Sequence, residues 1–228
     1  MKRSEVNRAL IEMEAMINKY KFSLPPFCHF TPKEWLNKGK EYNEIRDNML
    51  GWDITDYGLG DFDKVGFSLI TIRNGNAAMS DMYPKNYAEK LLFLREGQTS
   101  PMHFHWAKME DIINRGGGNL LIRVYNSTTS EELDEVNDVH INMDGRSFMV
   151  PAGTQIKLTP GESIAISQCM YHDFAVEQGT GSILIGEVSD CNDDNKDNRF
   201  LEPIGRFPEI EEDEPPYRLL CNEYPIAE

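Results

Sequence analysis

Apolar residues recur at helical spacing near the start of this chain and at strand spacing through most of its remaining length. Val6, Leu10, Met13, Ile17 and Tyr20 are separated by four, three, four and three positions, one stripe of an amphipathic helix over residues 4–20 with Ser4 as its N-cap. Pro25-Pro26 stops that helix. Thr31-Pro32-Lys33-Glu34 then sets an N-cap threonine, a proline at the first helical position and a glutamate at the third, and predicts a second helix carrying Trp35, Leu36, Tyr42, Ile45 and Met49. From Trp52 the pattern changes to short strands: 66–72, 87–95, 119–125, 139–149 turning at Asp144-Gly145, 154–158, 163–167, 173–177 and 182–188. Asn74-Gly75 reads as a further hairpin turn. Many short strands at intervals of about ten residues with glycine turns between them describe an antiparallel sandwich or jelly roll. No internal repeat is found.

The chain has 228 residues, enough to bury a full core in one domain. Its hydrophobic content is 40% and no apolar run approaches the ~18 residues of a membrane span, so a soluble globular protein is expected. Lys2 and Arg3 are followed by alternating charged and apolar residues rather than a signal-peptide core, which predicts a cytoplasmic location. Cys28, Cys169, Cys191 and Cys221 form no C-x-x-C pair and read as reduced thiols, Cys169 as a small packed hydrophobe. A formal charge of −15 without a basic cluster argues against nucleic acid and anionic membrane as partners. It also favours a neutral small molecule over a phosphorylated one. Arg115-Gly116-Gly117-Gly118 could form an anion nest, but a plain glycine turn is the preferred reading. Residues 190–198 are polar, yet Asn195 and Leu201 stand where a calcium loop needs glycine and glutamate, so a solvated loop is expected there. Glu209 to Glu214 is read as a surface segment.

The chemistry concentrates between Gly97 and Gly117. His103 and His105 are two apart, so on a strand both imidazoles leave the same face, and Glu110 follows five residues later. Five histidines occur in all, at 29, 103, 105, 140 and 172; His172, after the apolar run 164–166, is the best-placed fourth ligand. Gly97, His103, His105, Glu110 and Gly117 match in full the first motif of the cupin family, G-x5-H-x-H-x4-E-x6-G. The second motif, G-x5-P-x-G-x2-H-x3-N, is met only at Gly161 and His172, with Ser167, Cys169 and Val176 at its proline, glycine and asparagine. The resemblance implies a mainly β, cupin-type jelly-roll barrel holding one metal, with the N-terminal helices packed outside.

A more particular resemblance covers nearly the whole chain. The stretches 1–9, 103–119 and 199–214 resemble the D-lyxose isomerase family of cupin sugar isomerases. Membership implies interconversion of D-lyxose with D-xylulose, and often of D-mannose with D-fructose, with a preference for Mn2+. Co2+, Zn2+ and Fe2+ also suit three imidazoles and a carboxylate. The expected organisation is one domain over 1–228: a helical arm at 1–50, the barrel at 51–190, and a tail at 191–228 that closes over the site. An N-terminal apolar stripe makes a homodimer the expected assembly.

An aldose–ketose isomerase also needs groups that move a proton between C2 and C1. Lys108, two residues before Glu110, is read as sharing its face, near enough to a cation for the charged form to be disfavoured; it is a candidate acid/base or substrate donor. Glu202 as catalytic base comes from the family resemblance alone. Arg206 is expected to pair with Glu202 or bind hydroxyls, Asp190 and Glu187 are weaker contenders, and Trp106 is a candidate platform for a sugar ring, whereas Phe104 points into the core. Two other functions share the ligand set: an Fe(II) cupin dioxygenase and a non-catalytic sugar-binding cupin.

Overall fold

The computed structural model describes residues 1–193 and 196–227, so the calcium-loop position Asn195 lies outside the described residues. Helix α1 spans Arg3–Lys19, and α2 (Pro32–Trp35) and α3 (Asn43–Asp47) are short. The strands among the described residues are β1 Gly51–Thr55, β2 Phe67–Arg73, β3 Tyr87–Leu94, β4 His103–Phe104, β5 Glu110–Gly117, β6 Leu120–Ser127, β7 Leu133–Asp134, β8 Val139–Met143, β9 Arg146–Val150, β10 Gln155–Leu158, β11 Ser163–Ile166, β12 Met170–Val176, β13 Ile183–Asp190 and β14 Arg199–Phe200. One sheet has the order β1-β2-β3-β13-β5-β11-β8-β9; the second has β10-β6-β12-β4-β14, with β7 beside β6. Every pair of these strands is antiparallel, as expected of a jelly roll.

The main core lies between the sheets, built from residues such as Leu92, Leu94, Ile122, Val124, Phe174 and Ile185. A second core forms where Val6, Leu10, Met13 and Ile17 of α1 pack on Trp52, Ile70, Leu91 and Phe93. That explains the unbroken run Leu91-Leu92-Phe93-Leu94. Alternate side chains point to opposite faces of β3, and here both faces are buried. The helical stripe that suggested a second subunit is therefore used within the chain.

Several local expectations change. The helix begins at Arg3 after Lys2, not at Ser4. Ser4 instead donates from its backbone N and its Oγ to the Asp213 carboxylate, at 2.9 and 2.7 Å, so the tail supplies the anion at this positive helix end. The capping box at Thr31 and Glu34 forms, but α2 stops after one turn and Leu36 is 73% exposed. A stripe spaced for one helix to Met49 is split by the turn at Gly39. Asn74-Gly75 is no hairpin turn: β2 and β3 are joined by residues 74–86, and a Cβ on Gly75 would meet Lys85 O at 1.7 Å. Asp144-Gly145 does turn β8 into β9, with φ of 49° and 75°. Gly116 and Gly117 carry positive φ and let Tyr20 and Met16 approach from α1, which is a packing role.

The acidic run in the tail is more than a solvated surface. Glu212 pairs with the buried Arg3, which Glu223 also contacts, and Glu214 accepts from Asn7 Nδ2. The hydrogen bond from Arg3 holds the Glu212 carboxyl below its ordinary range, and Ser4 does the same for Asp213. Carboxyls depressed in the folded state stabilise it above their unfolded pKa of about 4 and lose that contribution as pH falls through the folded values. Acid titration below about pH 4 is thus expected to release the tail from α1, seen as faster proteolysis after residue 207. Arg3→Ala should cost roughly 1–2 kcal/mol at neutral pH and flatten that acid response, because one partner carboxylate is exposed.

Candidate metal centre

The candidate site sits between the sheets at one end of the barrel. His103 lies on β4 opposite His172 on β12, and His105 follows in the bend after β4. Glu110 opens β5 in the other sheet, opposite Ile166 and Ser189. The stretch that reads as one ligand strand is therefore two strands in two sheets, and the bend 105–109 carries the chain across. His172 stands inside β12 rather than at the end of β11. The turn before it places Cys169 at φ 59°, the left-handed conformation that glycine at that motif position adopts without strain, so the backbone path survives the substitution.

Ligating nitrogens of His103, His105 and His172 all lie within 4.8 Å of one another, and all three residues are buried. Each Nδ1 meets a backbone carbonyl: Pro101 O at 2.9 Å, Asp197 O at 2.7 Å and Met170 O at 3.0 Å. A carbonyl only accepts, so each Nδ1 carries a proton, and each Nε2 is the ring nitrogen left to face a ligand. Glu110 Oε1 lies 3.2 Å from His172 Nε2 and 3.6 Å from His105 Nε2. His172 Nε2 is fully buried without a hydrogen-bond partner among the described residues. Burial pushes His103 well below the ordinary histidine range, and the neighbouring His172 and His105 add to this. Burial alone would raise Glu110, but the charge of the Lys108 ammonium holds it well below the ordinary carboxylate range. Three imidazole nitrogens converging on a carboxylate are the donor set that suits a divalent first-row ion, and the residues fit one.

Beside the ligands lies a charged cluster. Lys108 Nζ is 2.7 Å from Glu110 Oε2 and 2.9 Å from Glu187 Oε1, and Lys90 Nζ is 3.2 Å from the same Glu187 oxygen. Lys90 and Glu187 are directly opposed on β3 and β13. Lys90 shares its strand face with Leu92 and Leu94, and Glu187 shares its face with Ile183 and Ile185, so the interior is apolar along most of its length and ionic at this end. Lys108 is flanked by two carboxylates, Glu110 and Glu187. The cavity above the cluster is lined by His103, His105, Lys108, Glu110, Lys90 and Glu187, by Asn198 and Arg206, and by an apolar wall including Tyr57, Leu69, Phe174 and Phe200.

Other candidates stand elsewhere. Glu202 is exposed and does not line this cavity. Arg206 does line it but pairs with Asp53 at 2.5 Å rather than with Glu202. Asp190 is exposed and accepts from Met109 N at 3.0 Å. Trp106 is 41% exposed and donates to Glu131 Oε1 at 2.9 Å, outside the cavity lining. Phe104 is buried against Tyr171 and Trp106, as expected. Motif spacing does not pick out Lys90, although a lone lysine in register with Leu92 and Leu94 on an otherwise apolar strand is the signal that marks it.

An antiparallel jelly roll with three imidazoles and a carboxylate turned into its interior defines a cupin-type barrel with a site for a divalent metal. The D-lyxose isomerase family model matches residues 1–224, and the chain belongs to that family of sugar isomerases. It is 47% identical to the D-lyxose/D-mannose isomerase of Serratia proteamaculans and 44% identical to that of Escherichia coli O157:H7, in each case over 98% of both chains. Among solved structures it is similar in fold to the L-ribose isomerase of Cellulomonas parahominis with L-ribose. That match has a TM-score of 0.60 at 13% identity and covers 92% of this chain and 98% of the other. No helix among the described residues is long and apolar enough to cross a membrane.

Proposed function

We propose that this enzyme interconverts D-lyxose with D-xylulose, and D-mannose with D-fructose, by moving a proton between C2 and C1 in the cavity above His103, His105, Glu110 and His172. The observation that carries the reading is the placement of Glu187, Lys108 and Lys90 directly beside the candidate ligands in one cavity. Related proteins carry D-lyxose/D-mannose isomerase as their name, which supports the choice of sugars.

A divalent ion, for which Mn2+ is our assignment, would be held by those four side chains and would supply Lewis-acid polarisation of the sugar carbonyl. Glu187 is the base assigned to the C2 proton, because its carboxylate is buried and fixed by the two ammonium groups. Taking that proton leaves an enediolate; Lys108 gives a proton to the C1 oxygen and takes one from the C2 hydroxyl, and return of the carbon-bound proton from Glu187 to C1 completes the ketose. Lys108 donates to the sugar oxygen that becomes negative, and the second lysine keeps the pair of carboxylates neutralised. The apolar wall of Tyr57, Leu69, Phe174 and Phe200 excludes water from the enediol. Arg206 and Asn198 are assigned to distal hydroxyls. Glu202, the base that the family resemblance implies, is exposed outside the cavity and is the second candidate for that role. We assign the segment 197–206 as the cover of the site, the assembly as a homodimer and the location as cytoplasmic.

Incubation of the Mn2+-loaded enzyme with D-lyxose in D2O is expected to give D-xylulose carrying solvent deuterium at C1, and recovered lyxose carrying it at C2, without oxygen uptake. EDTA should stop the exchange and Mn2+ should restore it. Oxygen consumption would instead indicate the dioxygenase alternative, and binding without exchange a sugar-binding cupin.

A further inference from the structure

We infer that Asn192 is a positioning residue for the two lysines of the proton-transfer cluster, itself held by a ladder of buried asparagine side chains; this rests on the reading of Lys108 and Glu187 given above. Asn192 follows β13 by two residues. Its Oδ1 accepts from Lys90 Nζ at 2.7 Å and from Lys108 Nζ at 3.4 Å, the same two ammonium groups that Glu187 Oε1 bridges. Two flexible lysines thus face a carboxylate oxygen on one side and an amide oxygen on the other. A lysine has four rotatable side-chain bonds and no planar fork, so its ammonium is placed only as well as its acceptors are.

The position of Asn192 is in turn fixed from behind. Its backbone N donates to Asn74 Oδ1 at 2.9 Å and its carbonyl accepts from Asn74 Nδ2 at 2.9 Å, so one side-chain amide grips both faces of the peptide. Asn74 Nδ2 also donates to Asn48 O, Asn48 Nδ2 returns a bond to Asn74 O, and Asn76 Nδ2 donates to Asn48 Oδ1, each at 3.2 Å. Asn48 and Asn74 are buried. Four asparagines therefore tie the loop after β2 and the loop after β13 to the lysines. Amides suit this task because each offers donors and an acceptor in one planar group. The ladder also lines a separate polar cavity containing Asn48, Asn74, Asn76, Asn192 and Asp53, so it stands between that space and the reacting groups.

A fully formed amide network transmits displacement, and misplacing a reacting group by about 1 Å can cost on the order of 100-fold in rate. In the Mn2+-loaded enzyme, Asn192→Ala is expected to lower kcat about 10–100-fold while KM for D-lyxose moves less than about threefold. Asn192→Asp keeps an acceptor oxygen in place and should recover kcat to within about threefold of wild type. Asn74→Asp, which touches neither lysine, loses its donors to Asn192 O and Asn48 O and should lower kcat about tenfold. Should Asn192→Ala fail to fold, Asn74→Asp carries the comparison. Wild-type kcat in Asn192→Ala or in Asn74→Asp, no recovery in Asn192→Asp, or a change confined to KM would each overturn the inference. Lys108→Met and Glu187→Gln run in parallel separate the two levels: their inactivity alongside a fully active Asn192→Ala removes the positioning role alone, whereas their full activity removes the underlying reading.

Discussion

Replacing His172 with alanine is expected to lower metal affinity by more than about 100-fold and turnover by about 1000-fold or more. The imidazole is completely buried, its Nδ1 is tied to Met170 O, and its Nε2 points at Glu110 with no hydrogen-bond partner among the described residues. An unsatisfied buried nitrogen costs roughly 1–3 kcal/mol, and an ion at that point removes the penalty while losing a quarter of its protein donors in the variant. Lewis-acid stabilisation contributes several kcal/mol, at about 1.4 kcal/mol per decade of rate. Elemental analysis after dialysis reads the affinity, and ketose formation reads the rate. A His172→Ala protein that retains stoichiometric Mn2+ and wild-type turnover would remove His172 from the ligand set. His29 and His140 serve as controls: neither joins the three-histidine group, His29 facing Glu14 and His140 Nε2 lying 2.6 Å from Ser147 Oγ. Their alanine variants should keep the metal.

The convergence of the first three candidate ligands was legible because its information is local. Two imidazoles at i and i+2 and a carboxylate five further on converge after a single bend, and the apolar strands that carry them announce themselves by alternation. His172 rested on the apolar run 164–166 before it and on the motif spacing from Gly161, a weaker signal, since its neighbour His103 is 69 positions away and the motif is broken at Ser167, Cys169 and Val176. Glu187 was named as a weaker contender from its place at the end of the last strand, and Lys90 was readable only by parity: each interrupts an inward-facing apolar row. Their meeting depends on β3 and β13 being neighbours, which no window of sequence contains. Asn192 carried no signal, because its partners are 102 and 118 positions away and a polar loop after a strand predicts nothing. Where local signals misled, at the second helix and at Asn74-Gly75, tertiary demands prevailed. Leu36 was left in solvent, and Gly75 was kept because Lys85 and Cys191 press against it.

Lys108→Met and Glu187→Gln are expected to reduce kcat by about 10²–10⁴-fold each while leaving bound Mn2+ unchanged, and to differ in stability. Lys108 is 3% exposed between Glu110 and Glu187, so removing its charge leaves two buried carboxylates with Lys90 close to one of them only. Breaking a buried ion pair from one side typically costs about 3–5 kcal/mol. In the metal-loaded protein Glu110 gains a cation as partner, so that cost should shrink. The Tm of Lys108→Met is therefore expected to fall well below wild type after EDTA and to return most of the way with Mn2+. Glu187→Gln instead removes a carboxylate outside the candidate ligand set and leaves Lys108 paired with Glu110 and both ammonium groups on Asn192, so its deficit should depend less on the metal. Equal Tm deficits for Lys108→Met with and without Mn2+ would mean that Lys108 does not share Glu110 with the ion. Residual turnover within tenfold of wild type in Glu187→Gln would shift the base to another carboxylate, and Glu202 is then the group to replace, with loss of C2 deuterium exchange as the readout.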